Sequence, residues 1–295
     1  MIFLGGLGRS GTTLLERLLG QVPGIVPLGE VVHLWARGVL ADEPCGCGER
    51  FGACPFWREV GSRAFGGWTS AVAERVLELR HRVDRTRRIT RIDHTDLGEY
   101  VRAYRRVYAA AAETAGGGVV IDSSKHASLA FCLAAGGVAV HVVQVVRDPR
   151  AVAHSWRRTV ARPEDGNAMT RWGSVRTSMH WLVQNAGLDL LARRGVQVTR
   201  VRYEDLLADP RAALTRLLAS LGLAADLPFL DGSTATLTAA HTASGNPMRF
   251  AVGPVELARD DSWRDGLPRA HRGLVRGLTW PLMTRYGYQW SGVRG

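Results

Sequence analysis

The octapeptide GLGRSGTT at residues 6–13 sets Gly6, Gly11 and Thr13 at the spacing of a phosphate-binding loop, but Thr12 stands where that loop carries lysine. Backbone N–H groups of a glycine-rich turn, aimed by a helix N-terminus, cradle an anion whatever the side chains are. The nearest cation, Arg9, lies inside the loop rather than after it. A kinase needs the loop lysine on its β and γ phosphates and a carboxylate for Mg²⁺. Ser10, Gly11, Thr12 and Thr13 with Arg9 therefore suit a two-group anion such as phosphosulfate better than a magnesium nucleotide. A second oxyanion site is legible in VVRDPRAVAHSW, where Arg147 ends a strand and Ser155 lies on the first turns of the next helix. A forked guanidinium and a short hydroxyl can converge there on one phosphate; the competing reading pairs Arg147 with Asp148 or another surface acid.

Composition singles out one more residue. Of 38 basic residues only Lys125 is lysine, the rest being arginine. Wherever either cation would serve, this sequence uses arginine, so the surviving lysine marks a place where a compact ammonium is needed.

The elements that must position these groups follow from the apolar pattern. Ile2–Leu4, GVVID ending at Asp122, VAVHVVQVV ending at Val146 and VQVTRVRY ending at Tyr203 are β-branched runs, each followed by a helix-compatible stretch. They predict an α/β fold with a mostly parallel central sheet covered by helices on both faces. The helix after the glycine loop is expected over Thr12–Gly20. Asp96 and Glu99 read as a capping box for a helix through Ala115 that GGG at 116–118 ends. A long helix is expected over Asn167–Arg194, with Met169, Trp172, Val175, Met179, Leu182 and Ala186 as its core stripe. Pro210 opens another through Leu221, and the tail from Ala239 reads as irregular before a last apolar helix around Leu274–Met283.

The chain reads as a single domain, 1–295, with residues 34–115 a helical cap shaping an acceptor pocket. There Trp35, Phe51, Phe56, Trp57 and Trp68 read equally as core or as the wall of an apolar site.

The formal charge of +11 is scattered, with a modest concentration at Arg80, Arg82, Arg85, Arg87, Arg88 and Arg91 that reads as a solvated helical face, so no nucleic-acid partner is expected. No apolar run approaches the roughly eighteen residues of a membrane span, and Met1–Leu4 is too short for a secretory signal, so a cytoplasmic protein is expected. Cys45, Cys47 and Cys54 cluster in CGCGERFGAC; zinc would want a fourth ligand, so they are taken as reduced thiols on a surface loop, with no metal.

In their order along the chain, GRSGTTLLERLL, Gly29-Glu30, DSSK, VVRDPRAVAHSW, VRYEDL, GNPMRF and SWRDGLP resemble the sulfotransferase superfamily that uses 3′-phosphoadenosine 5′-phosphosulfate, in its branch of bacterial small-molecule enzymes and tyrosylprotein sulfotransferases. The similarity spares roughly residues 36–117. It implies a P-loop-like fold, a 5′-phosphosulfate loop at Arg9–Thr13, a 3′-phosphate site at Arg147 and Ser155, and an adenine or 3′-phosphate contact from Tyr203. It also implies Arg9 and Lys125 on the phosphosulfate and Glu30 as the base facing the acceptor. His126 is the runner-up and His33 a third choice for that base; the other reading of Glu30 is a capping or ion-pairing carboxylate near Val31. Asn246 and Arg249 are expected to close over the phosphosulfate or the 3′-phosphate. The implied reaction moves a sulfuryl group to a hydroxyl of a small metabolite, glycan or lipid, without a metal, and is compatible with a homodimer. DSSK departs from the tyrosylprotein branch, which argues against a peptide acceptor. Two alternatives stay open: a small-molecule kinase with a degenerate loop, using Asp122 for Mg²⁺, and a non-catalytic nucleotide-binding module.

Overall fold

A computed structural model describes residues 1–91, 95–159 and 170–289. Strand β1 (Ile2–Gly5) enters the glycine loop and α1 (Thr12–Leu19) leaves it; β2 (Ile25–Pro27) follows. Helices α2 (Pro55–Phe65), α3 (Ser70–Val83) and α4 (Leu97–Thr114) fill the long crossover to β3 (Val119–Lys125). Then come α5 (Ala127–Ala135), β4 (His141–Val146), α6 (Pro149–Arg157), α7 (Ser174–Arg193), β5 (Gln197–Arg202), α8 (Tyr203–Ala208) and α9 (Pro210–Ser220). Strands β6 (Leu230–Asp231), β7 (Thr234–Leu237) and β8 (Gly253–Glu256) precede α10 (Trp263–Gly266) and α11 (Arg269–Arg285).

The first five strands form one parallel sheet in the order β2-β3-β1-β4-β5. Alternation along β1 covers both faces. Ile2 and Leu4 pack with α1, α8 and α9 through Leu15, Leu206 and Leu214, whereas Phe3 packs with the crossover helices, α5 and Leu188 of α7. The expected doubly covered parallel sheet is thus observed, with β2 as an additional edge strand. Register pairs Gly5 with both Lys125 and Gln144, so the loop after β1 opens beside the ends of β3 and β4.

Several local expectations change. Strand β3 runs three residues beyond Asp122, to Lys125. Asp96 makes no capping bond; Arg82 takes its carboxylate and Arg75 takes that of Glu99, so ion pairs to α3 replace the capping box. The tail from Ala239 is not wholly irregular: its β8 pairs antiparallel with β7, which also pairs with β6 just before it. Helix α7 begins at Ser174, while Asn167 and Met169 lie outside the described residues. Its stripe is also rotated from the expected one: Val175 and Met179 are exposed, and the buried face carries Ser178, Trp181, Gln184, Asn185 and Leu188. Polar residues take that face because backbone and side-chain groups of the sheet meet them there. Gln144 Nε2, for example, donates to Asn185 Oδ1 at 3.2 Å.

Trp35, Phe51 and Trp57 belong to the core of the crossover, at 0%, 1% and 0% exposure; Phe56 and Trp68 pack against it. Truncating a tryptophan buried like this to alanine costs about 3–5 kcal/mol. Of residues 34–115, Arg37 and Thr86 line the main cleft. Cys45 and Cys54 are fully buried rather than set on a surface loop. Among the described residues no helix is long and apolar enough to cross a membrane.

Candidate active site

Glycine begins the site. Gly11, with φ +92°, caps α1, and a Cβ there would lie 2.4 Å from the Tyr203 ring. Only glycine allows both that backbone and that approach, so the loop lies directly against the Tyr203 ring. Ser10 Oγ is buried without a hydrogen-bond partner, a donor left over beneath the turn. Arg9 adopts left-handed backbone at φ 73° and sits 5.6 Å over Trp156; burial lowers its pKa.

Lys125, at the end of β3, also has left-handed backbone, φ 70°. Its carbonyl accepts from Gly6 N at 3.1 Å, which ties it to the loop, and its Nζ donates to Glu30 Oε1. Burial favours the neutral Glu30 carboxyl, but Lys125, then His33, outweigh it and bring the pKa down to about 2. His33 Nε2 lies 3.5 Å from the second Glu30 oxygen, and burial takes this imidazole down to about 3. His126 is likewise lowered by burial, and its ring centroid is 6.4 Å from that of His33. Both imidazoles are neutral near pH 7, whereas Glu30 is an anion held by an ammonium.

The support of this pair was missed in the sequence. Glu16, inside α1, is buried; its Oε1 accepts from Gly29 N at 2.7 Å and its Oε2 from Ser123 Oγ at 2.8 Å. Burial raises its pKa to about 7 despite those bonds. Glu30 N donates to Ser244 O at 3.2 Å, bringing the carboxy-terminal loop against the site. Gln184 accepts from Ala127 N at 2.8 Å and so fixes the turn after Lys125. A glutamate within an apolar helix and polar residues on a long helix carry no local signal; their partners are remote in sequence.

Arg147 extends from the end of β4. Its Nη1 donates to Arg9 O at 3.2 Å, its Cζ lies 4.4 Å over the Tyr203 ring, and its Nη2 is 3.5 Å from Asp260 Oδ2. Of the acids expected to compete for it, Asp148 pairs with Arg150 at 2.6 Å and caps α6, whereas the half-exposed Asp260 does take the place of the other surface acid. Trp181 Nε1 donates to the Arg147 carbonyl at 3.1 Å.

One cleft of about 1090 Å³ gathers these groups. Arg9, Gly11, Thr12 and Thr13 line it with Glu30, Lys125 and His126, and so do Arg147, Ser155, Tyr203 and Asn246. His33 lines it too. Ser10 lies beneath the loop, and Arg249 is 1% exposed, outside that lining, with its guanidinium donating to Thr242 O at 3.0 Å and Pro44 O at 2.8 Å. It organises the loop behind the site rather than the cleft wall. Asp122 is also absent from the lining; Tyr108 Oη donates to it at 2.6 Å and Ser124 N at 2.8 Å, which removes the carboxylate that the kinase alternative needs for Mg²⁺. Trp156, whose Nε1 donates to Gly8 O at 2.9 Å, packs on the loop and stacks on Trp172 at 3.9 Å; Met179 and Val183 of α7 also line the cleft.

Comparison with known proteins agrees with this architecture. The model of the Sulfotransferase family matches residues 2–43 and 139–226, segments that hold the glycine loop, Glu30, Arg147, Ser155 and Tyr203. The sulfotransferase domain of the Synechococcus PCC 7002 olefin synthase superposes with a TM-score of 0.54 at 21% identity, over 99% of this chain and 95% of that one. The sulfotransferase domain from the curacin biosynthetic pathway gives 0.59 at 14% identity, over 99% and 98%. No match was found among curated proteins. Residues 2–43 and 139–226 thus match the Sulfotransferase family pattern, and the α/β fold of the chain resembles that of the two sulfotransferase domains.

Proposed function

We propose that the protein is a sulfotransferase moving the sulfuryl group of 3′-phosphoadenosine 5′-phosphosulfate to a hydroxyl of a small metabolite, glycan or lipid. The observation that carries this reading is the bond from Arg147 to the Arg9 carbonyl within one cleft: two oxyanion sites adjoin and share their opening with Lys125 and Glu30. The unpartnered Ser10 hydroxyl and the glycine turn at the start of α1 fit the 5′ end of such a donor. Arg147 and Ser155 would take the 3′-phosphate, and Tyr203, under the guanidinium, the nucleoside side.

The donor supplies an activated sulfuryl group. In its loose transition state negative charge grows on the bridging oxygen, where Arg9 and Lys125 would stabilise it, while the acceptor hydroxyl loses its proton to a base. Glu30 has that role when Lys125 turns from it toward the donor: its depressed pKa belongs to the ion pair, and separation of the pair raises its basicity. His126, neutral and lining the same cleft, is the runner-up. Asn246 would contact the donor from the carboxy-terminal loop. The transfer itself needs no metal, and the protein acts in the cytoplasm without a nucleic-acid partner. The wall of Trp156, Trp172, Met179 and Val183 favours an acceptor with an apolar body.

Calorimetric titration with adenosine 3′,5′-bisphosphate, and separately with ATP and Mg²⁺, tests the reading. Bisphosphate binding that is lost in Arg147→Ala supports it; magnesium-dependent ATP binding with no bisphosphate binding overturns it. Glu30→Gln should keep bisphosphate affinity and lower turnover by about 10²-fold or more. An unchanged rate moves the base to His126.

A further inference from the structure

The three clustered cysteines lack a fourth ligand in the sequence around them, and the fold supplies one from far away. His241 comes in from the carboxy-terminal loop, 187 residues after Cys54, with its Nδ1 3.3 Å from Cys54 Sγ and 3.9 Å from Cys45 Sγ. Cys47 Sγ lies 3.8 Å from Cys54 Sγ, and the four ligand atoms all fall within 4.8 Å of one another. From this arrangement we infer that Cys45, Cys47, Cys54 and His241 form a structural zinc site.

The distances decide between chemistries. With Zn–S of about 2.3 Å and Zn–N of about 2.0–2.1 Å, the edges of a tetrahedron are about 3.8 Å for S···S and about 3.5 Å for S···N. The separations given above lie close to those edges. All four cysteines of the chain are free thiols in this structure. Three sulfurs and one imidazole make a closed, soft donor set of the kind that selects zinc, with no protein carboxylate or open position that catalysis would use. None of the four residues lines the cleft, so this metal is separate from the transfer chemistry.

The surroundings are built for the site. Cys45 and Gly48 close a tight turn, Gly48 N donating to Cys45 O at 2.9 Å. Between them Gly46 N donates to Thr242 O at 3.0 Å, and a Cβ at Gly46 would lie 2.3 Å from Thr242 Oγ1, so only glycine lets the cysteine turn lie against the histidine loop. Cys54 is the N-cap residue of α2, where the helix dipole favours a thiolate. The His241 ring stacks on Phe56, 5.1 Å between centroids and 9° between planes, which fixes the direction of its Nδ1.

The site also has a consequence for the cleft. Two residues beyond His241, Ala243 N donates to Leu28 O at 2.9 Å, and Ser244 O accepts from Glu30 N. Zinc would clamp the start of the crossover to the loop that holds the backbone of Glu30, across a long stretch of intervening sequence. Closing such a distance by metal stabilises the assembled loops rather than either one alone.

Metal analysis of the full-length protein tests this without reference to any transferase activity. Protein purified without chelator should carry one zinc per chain, and Cys45, Cys47 and Cys54 should react with a thiol reagent only after a chelator is added. Chelated protein titrated with Co²⁺ should develop the visible bands of a tetrahedral cobalt thiolate, saturating at one equivalent. Cys47→Ser and His241→Ala should lose the zinc and melt at lower temperature, while Cys132→Ala should retain it. The Co²⁺ titration of the unsubstituted chain keeps the test valid if those variants fail to fold. Metal-free protein whose three thiols react at once and which ignores added Zn²⁺ and Co²⁺ overturns the inference, as does a mass lower by two hydrogens from a disulfide among them.

Discussion

The two walls of the cleft are made of different material. The loop side consists of a glycine turn and cations: the turn at Gly11, Arg9 and Lys125 on left-handed backbone, and Arg147 tied to the Arg9 carbonyl. The other part of the lining consists of side chains projecting from a helix, Met179 and Val183 on α7, 48% and 42% exposed. A wall built from the ends of a parallel ladder changes only if the sheet changes; a wall of exposed helical side chains changes with single substitutions. The first suits a fixed nucleotide, the second a variable acceptor.

Substitutions on each wall should therefore fail in different ways. Lys125→Arg ought to have the largest effect, a loss of about 10³-fold in kcat with bisphosphate affinity kept, because a planar fork cannot take the place of a compact ammonium against Glu30. Single-turnover kinetics would check it, and near-normal turnover would break the argument from the lone lysine. Gly11→Ala should weaken bisphosphate binding by about tenfold or more, since strained backbone and collision with Tyr203 cost on the order of 1–3 kcal/mol; calorimetry reads it directly. Met179→Ala should raise the KM of an apolar acceptor by about tenfold at most and leave bisphosphate affinity unchanged. Equal changes in both would show that the walls are not independent.

The smallest expected effect concerns the support beneath the Lys125–Glu30 pair. Glu16 has its pKa raised to about 7 in the folded chain against an ordinary 4.5. The folded state therefore holds its proton more tightly, and this contribution to stability, full below about pH 4.5, declines as pH rises toward 7. Glu30 acts in the opposite sense, with stability present above about pH 4.5 and lost as pH falls toward 2. Glu16→Gln keeps an acceptor for Gly29 N and should flatten the fall in melting temperature between pH 4.5 and 7. An unchanged slope would place the titration elsewhere.

What the sequence shows of this molecule follows the range of the interactions involved. Strands β1, β3, β4 and β5 are legible because each is a local β-branched run, and the glycine loop because its spacing is itself the structure. Arg147, Ser155 and Tyr203 follow at strand ends and the starts of helices. The three-residue β2 is too short to show a pattern, and β7 with β8 pairs across a loop whose composition resembles coil. Met179 and Val175 sit at helical spacing yet face outward, since the buried face of α7 is chosen by polar partners on β4 and after β3. Trp35 and Trp57 could not be assigned to core or pocket before the packing was known. Arg249 has the right charge near the right motif, but two carbonyls of its own neighbourhood take it out of reach.

Among the described residues only three besides glycine have positive φ, and two of them are Arg9 and Lys125. Left-handed backbone costs a residue bearing a Cβ roughly 1–2 kcal/mol. Folding alone would favour glycine at both places, and glycine would remove both positive charges. The resting chain thus keeps two backbone conformations that are uncomfortable by themselves, so that both cations start from the rim of the cleft and only the Lys125 side chain, paired with Glu30, has to swing when an anion arrives.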